Sequence, residues 1–202
     1  MADLLKGEMF MENYNEAFFR AKTNKRASIT WVLLLIVACI YYGIKVGTGT
    51  LTPGYYAAFA IVGWAVYIVG QALLFIKGMD FKPYKWIVGL GYLAFYSVIA
   101  WTALDQISYV FILPLISILI LYKDPKFIRT MMWITLFVLI SSNAYKGLAK
   151  GMMDYMESPE CALQLVIVIG CYVCTNMAIK HLVESDGALT QSIKSNLERV
   201  VP

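Results

Sequence analysis

Ser28-Ile-Thr-Trp-Val-Leu-Leu-Leu-Ile-Val-Ala-Cys-Ile-Tyr-Tyr-Gly-Ile-Lys-Val46 carries one charged residue, Lys45, near its end. About 20 consecutive apolar residues are needed for a helix to cross the hydrocarbon core of a bilayer, and this run meets that length. Backbone polar groups in lipid must be paired within the segment, which leaves helices and closed barrels. The run is continuously apolar and does not alternate with a period of two, so it reads as a helix and not as a barrel strand.

Working outward, five more runs of the same kind follow: Tyr55–Ile76, Trp86–Leu104, Ile107–Tyr122, Ile128–Asn143 and Ala162–Ile179. The fourth and fifth are short, so their ends must be fuzzy or flanking residues must snorkel. The composition agrees. Of the 202 residues, 60% are hydrophobic and 15% charged, against about 25% charged in a soluble domain. With 14% aromatic residues the chain is also unlike a disordered one. The expected fold is an all-α integral membrane protein: a six-helix transmembrane bundle at 28–179, preceded by an interfacial segment at 1–27 and followed by a cytoplasmic helix at 180–202.

The net charge of +4 does not call for a nucleic-acid partner, because the basic residues stand in short patches between the apolar runs. Those patches orient the bundle. One side takes Lys6, Arg20, Lys22, Lys25, Arg26, Lys77, Lys82, Lys85, Lys123, Lys126, Arg129, Lys180, Lys194 and Arg199, and the other only Lys45, Lys146 and Lys150. Both termini are therefore expected in the cytoplasm of a cell with the chain in its plasma membrane. The mostly polar 27 residues ahead of the first run, with no cleavage motif, do not read as a signal peptide. Leu4, Leu5, Met9, Phe10, Ala17, Phe18 and Phe19 alternate with acids and bases. That suits an amphipathic helix on the inner membrane face, a helix packed on a cytoplasmic domain, or a frayed terminus.

Beyond Ile179 the apolar residues Leu182, Leu189, Ile193, Leu197 and Val200 keep one helical stripe. Gly187 weakens a helix by about 1 kcal/mol relative to Ala, and Ser185-Asp186 beside it marks a local start or a joint. The stripe is too short to establish a coiled coil, and it reads as a stalk running toward a cytoplasmic partner. Asn176, Leu182, Leu189 and Ile193 are the residues expected to relay a signal along this last helix.

Catalytic chemistry has little to rest on, and no enzyme activity, cofactor or metal is expected. His181 is the only histidine. Cys171-x-x-Cys174 with His181 shares roughly one helix face, yet cysteines inside a bilayer behave as small apolar residues. The four cysteines do not read as a secreted disulfide framework. Gly89-Leu-Gly91 lacks the third glycine and the strand of a nucleotide loop and fits close helix contact. No Asp/Glu pair lies within a run, and Ser141-Ser142 has no base nearby. Gln71, Gln164 and Asn176 fit interhelical hydrogen bonding, and Pro114 frees a carbonyl in the fourth run and permits a kink.

The loops are short. Gly47–Gly54 is a turn-rich connector and Asp105-Gln106 nearly a hairpin, which leaves Lys146–Glu160 as the one long external loop. Tyr41, Tyr42, Tyr55, Tyr56, Tyr96, Trp101, Thr102, Asp105, Gln106, Tyr109, Asn143 and Tyr145 all map to the outer half of the bundle. They form either an aromatic belt or a ligand pocket with aromatic walls and a few hydrogen-bonding groups. The pocket reading centres on Tyr96, Trp101, Thr102, Asp105, Gln106, Tyr109 and Asn143. There Asp105 would hold a cationic ligand or merely cap a helix.

Val88-Gly-Leu-Gly-Tyr-Leu-Ala-Phe-Tyr-Ser-Val-Ile-Ala-Trp-Thr102, then Ser108-Tyr-Val-Phe-Ile-Leu-Pro-Leu115 and Leu121-Tyr-Lys-Asp-Pro-Lys-Phe127, resemble the six-span N-terminal sensor module of bacterial, Firmicutes-type methyl-accepting chemotaxis proteins. The basic Arg20–Arg26 patch and the Gly54–Tyr56 entry are also similar. The resemblance covers roughly residues 20–200 and is sharpest over 88–127. It implies a receptor, usually a homodimer, whose last helix continues into a cytoplasmic coiled coil contacting a coupling protein and a histidine kinase. The sequence departs from that family in ending before any signalling hairpin or methylatable glutamates. The function expected is thus a membrane sensory domain. The alternatives are a small transporter or channel subunit, or the membrane anchor of a histidine kinase or diguanylate cyclase.

Overall fold

A computed structural model describes the backbone of residues 2–102, 106–149, 151 and 159–200, and the side chains of that set except 2–15, 106–108, 194 and 197–200. Among the described residues the chain is all helical, with no strand. The α-helices are α1 (Ala2–Gly47), α2 (Pro53–Lys77), α3 (Tyr84–Thr102), α4 (Leu113–Ile120), α5 (Pro125–Leu148) and α6 (Pro159–Val200), and a 3₁₀ helix, Gln106–Ile112, leads directly into α4. Four helical stretches are long and apolar enough to cross a membrane: Glu16–Gly47, Pro53–Lys77, Pro125–Leu148 and Pro159–Ile193. The chain divides into two compact units, Met1–Leu121 and Tyr122–Pro202.

In the first unit α1 is one helix through residue 27, where the sequence reading placed a boundary. Nothing in Arg20-Ala-Lys-Thr-Asn-Lys-Arg-Ala-Ser28 breaks a helix, so the polar segment and the first apolar run share one axis. Glu16 and Arg20, one turn apart, pair at 3.8 Å. The buried face of α1 is Ala27, Trp31, Leu35, Ala38 and Tyr42, in steps of three and four, while Leu33, Val37, Ile40 and Ile44 are exposed apolar residues suited to lipid.

Helix α3 is the centre of this unit, in contact with α1, α2, the 3₁₀ helix and α4. Its tyrosines face the interior: Tyr84, Tyr92 and Tyr96 are buried. Glycines make room for large side chains here. A Cβ on Gly91 would lie 2.6 Å from Val66 Cγ1 and 2.8 Å from Trp31 Cη2, and one on Gly63 would lie 2.8 Å from Phe95 Cδ2. The Trp31 indole also lies edge-on to Tyr67 at 5.3 Å. The close contact inferred at Gly91 is therefore made by side chains of α1 and α2 entering the space a Cβ would fill.

The fourth apolar run differs from a kinked α-helix. Pro114 has no N–H for the Val110 carbonyl, so it is tolerated in an α-helix only in the first turn. The α geometry therefore starts at Leu113, with Pro114 in the first turn, and the preceding residues wind as 3₁₀. The wider rise of that winding stretches Gln106–Ile120 to about 26 Å.

The second unit begins with a tight connection. Lys123 has φ +47°, and the Asp124 carboxylate accepts from the N–H groups of Lys126 (3.0 Å) and Phe127 (3.1 Å) ahead of Pro125. This N-cap starts α5 three residues before the expected Ile128, and the helix runs on to Leu148, so the fifth run is 24 residues and not short. Helices α5 and α6 pack on one another, with Thr135 Oγ1 2.7 Å from the Tyr172 hydroxyl, both buried. The sequence reading placed Lys146 at the head of an external loop, but it lies inside α5 and is 3% exposed. Helix α6 continues without interruption through residue 180 and through Gly187 to Val200. Lys123 also forms an ion pair with Asp186 on α6.

Candidate functional site

The connector after α1 is shaped by Gly49, whose φ of +73° turns the chain so that the Thr50 and Leu51 N–H groups reach the Lys45 carbonyl at 2.9 and 3.1 Å. This turn brings Tyr41 and Tyr42 of α1 beside Tyr55, Tyr56 and Phe59 of α2. The Tyr42 ring lies 4.8 Å from Phe59, and Phe59 lies 4.8 Å from Phe95 of α3. Phe111 of the 3₁₀ helix closes the group, 5.8 Å from both Tyr41 and Tyr42, and the Tyr92 hydroxyl donates to the Phe111 carbonyl at 2.6 Å. Above Tyr41 stands the Lys45 ammonium, 5.1 Å from the ring centroid, a cation–π geometry.

The expected site residues fall into several settings. Tyr96, on α3, is buried. Thr102, at the end of α3, is hydrogen-bonded to the Tyr55 hydroxyl at 2.7 Å and also reaches the Val98 carbonyl. Trp101 beside it is exposed and Tyr109 is half-buried. Gln106 is the first residue of the 3₁₀ helix, and Asp105 lies outside the described residues. Asn143 belongs to the second unit, where its Nδ2 donates to Cys161 Sγ at 3.1 Å. Tyr42, Phe59, Phe95 and Phe111, of which only Tyr42 was anticipated, thus form the body of an aromatic cluster whose rim carries Tyr55, Thr102 and Lys45.

At the opposite end of the first unit, α1 holds the α2–α3 connection. Asn24 Nδ2 donates to the carbonyls of Met79 (2.8 Å) and Phe81 (3.1 Å). Gln71 Nε2 donates to the Tyr84 hydroxyl at 3.0 Å, the interhelical bond anticipated for this glutamine. Sequence reasoning passed over Asn24 because it sits among Arg20, Lys22, Lys25 and Arg26, which read only as a basic patch that orients the bundle.

The relay residues lie along α6. Asn176 is half-buried, and its Oδ1 is buried without a hydrogen-bond partner among the described residues. Leu182, Leu189 and Ile193 are exposed. Cys171 is half-buried and Cys174 exposed, both as free thiols, and no three His, Cys, Asp or Glu side chains converge on a metal-sized site among the described residues.

Comparison with protein-family models, with curated proteins and with solved structures finds no match to this chain.

Proposed function

We propose that this chain is a membrane sensory module of the chemotaxis-transducer kind, multi-pass with both termini in the cytoplasm. In it, a change in helix packing is passed along α6 to a cytoplasmic signalling region. The observation that carries the reading is the continuity of α6, one 42-residue helix whose far part bears the exposed residues Leu182, Leu189 and Ile193. A rigid helix moves its far end when its near end shifts, which is what relaying requires. In this reading α3 and the Gln106–Ile120 segment cross as well, giving six spans. At about 26 Å the latter nearly matches a hydrocarbon core of about 30 Å, and modest thinning covers the difference.

The Tyr42–Phe59–Phe95–Phe111 cluster and its rim of Tyr55, Thr102 and Lys45 then face outward as the sensing end, with Trp101 beside Thr102 on α3 and Tyr109 on the 3₁₀ helix. The exposed stripe of α6 is where a second copy, and beyond it a coupling protein and histidine kinase, would be engaged. A ligand moves such an equilibrium only through differential affinity, a tenfold preference contributing about 1.4 kcal/mol. The test is a fusion of residues 1–202 to a kinase-controlling output domain, read across a small-molecule screen in cells. Output that responds to at least one compound, and loses the response in Tyr109→Ala or Thr102→Val, supports the reading. A folded fusion with invariant output contradicts it, and substrate flux into proteoliposomes would replace it with a transporter.

A further inference from the structure

The hydrogen bonds that join α5 to α6 set an antiparallel register, with Asn143 beside Cys161 and Thr135 beside Tyr172. Continued along both helices, that register brings the turn ahead of α5 against α6 past its apolar run, and there Lys123 pairs with Asp186. Asp186 follows Ile179 by seven residues, on the face that buries Tyr172, Thr175 and Ile179. By this point α6 has outrun α5, and its side chains from Lys180 to Ile193 are all exposed. Lys123 therefore grips the exposed length of α6 near its base. It does so from a φ of +47°, a left-handed conformation that a residue with a Cβ adopts only when its surroundings hold it there.

The gripped point is also where α6 is weakest. Gly187 disfavours helix relative to Ala. The Thr190 hydroxyl donates to the Asp186 carbonyl at 2.8 Å, a back-bond that competes for a helical acceptor and bends helices. Asp is a strong N-cap residue as well, its carboxylate accepting from N–H groups two or three residues on. Asp124 does this at the head of α5, accepting from Lys126 and Phe127. Asp186 thus has two alternative uses. Paired with Lys123, it leaves α6 one rod; released, it caps a separate helix by accepting from Ala188 or Leu189, and the rod gains a joint. We propose that the Lys123–Asp186 pair is a releasable clasp that selects between these states, the closed one transmitting along α6 and the open one uncoupling its far arm. The two side chains are 48% and 57% exposed, so water and salt reach them, and a pair of that kind is weak enough for a small shift of α6 against α5 to part it. This inference rests on the relay reading, but it is measured without any output domain, so the clasp can fail while the relay stands.

The experiment is hydrogen exchange of the full chain in nanodiscs, followed by mass spectrometry at the amides of Gly187–Thr190, whose helical bonds cross the joint. In low salt, Lys123→Gln is expected to speed their exchange about two- to fivefold, the range that an exposed pair can supply. Lys123→Arg keeps the pair and stays near wild type. Raising NaCl to about 0.5 M speeds exchange in the wild type by a similar factor, since it screens exposed charges, and adds little to Lys123→Gln. Lys123→Gly removes the pair while relieving the backbone, and it should match Lys123→Gln. Amides of Thr135–Leu139 in α5 serve as the folding control and do not change. Equal exchange in wild type and Lys123→Gln at low salt overturns the clasp, as does a salt response of full size in Lys123→Gln. A Lys123→Gly variant that keeps the wild-type rate overturns it too, because the shape of the turn and not the pair would then protect the joint. None of these outcomes bears on whether the output fusion responds, which tests the relay separately.

Discussion

The two units reach close helix packing by different means. In Met1–Leu121 the interior is built by shape: Trp31 and Val66 occupy the space over Gly91, Phe95 and Leu35 that over Gly63, and rings extend from Tyr42 to Phe111. In Tyr122–Pro202 the paired helices are joined by side-chain hydrogen bonds, Thr135 to Tyr172 and Asn143 to Cys161, with Lys146 buried on the same face of α5. Lipid is as apolar as a leucine side chain, so burial from water does not drive helix to helix within the membrane. What remains is dispersion from tight fit and polar pairing: the first unit combines close fit at Gly63 and Gly91 with hydrogen bonds such as Gln71 to Tyr84, whereas the described α5–α6 links named here are polar pairs. A unit held by fit tolerates added volume poorly, whereas one held by a few polar pairs loses little with each.

The largest effect is expected at Gly91. Its Cβ would fall 2.6 Å from Val66 and 2.8 Å from Trp31, neither on a flexible side chain, so Gly91→Ala should cost about 2–3 kcal/mol. Unfolding of the variant in detergent, followed by near-UV circular dichroism, measures this. Gly91→Ala with Trp31→Leu should recover part of the loss, since the two positions share one space. An unchanged midpoint for Gly91→Ala would mean that fit is not what holds this unit.

The next effect lies at the start of α5. Asp124→Ala removes the acceptor for two backbone N–H groups and should cost about 1 kcal/mol, with Asp124→Asn and Asp124→Ser close to wild type. The smallest belongs to the polar pairing itself. A double-mutant cycle of Thr135→Val and Tyr172→Phe should give a coupling of about 0.6 kcal/mol. A coupling near that of Gly91 with Trp31 would erase the distinction between the units.

How far these features could be read from the sequence follows from their range along the chain. The runs that became α1, α2, α5 and α6 were legible because length and continuous hydropathy are local properties. Helix α3 was legible as a run, and its central place was not, since the hydrogen-bond partner of the Tyr92 hydroxyl, the Phe111 carbonyl, comes from the 3₁₀ helix. The 3₁₀ winding left one local trace, Pro114, which marks where α geometry begins without stating what precedes it. The continuity of α1 through Arg20–Ser28 was available in the absence of any breaker, but charge contrast drew a boundary there. Lys146 was obscured by its place beyond the last apolar residues of its run. The signal that would have found it is the three-and-four spacing from Thr135 through Leu139 and Asn143, which puts Lys146 on the buried face. At the candidate site Tyr42, Tyr55 and Thr102 were legible as part of an aromatic and polar group, whereas Phe59, Phe95 and Phe111 looked like ordinary membrane phenylalanines until the turn at Gly49 brought the helices together.

The relay depends on α6 behaving as one rigid rod from its apolar half into its exposed half. Val166 and Leu189, both exposed and both on α6, can carry spin labels in a cysteine-free background of the full chain in nanodiscs. Pulsed electron–electron resonance should then give a single narrow distance near 34 Å, the span of 23 residues at about 1.5 Å each. A broad distribution, or a mean well below that length, would place a joint at Ser185–Gly187 and contradict the proposal that this helix transmits a shift.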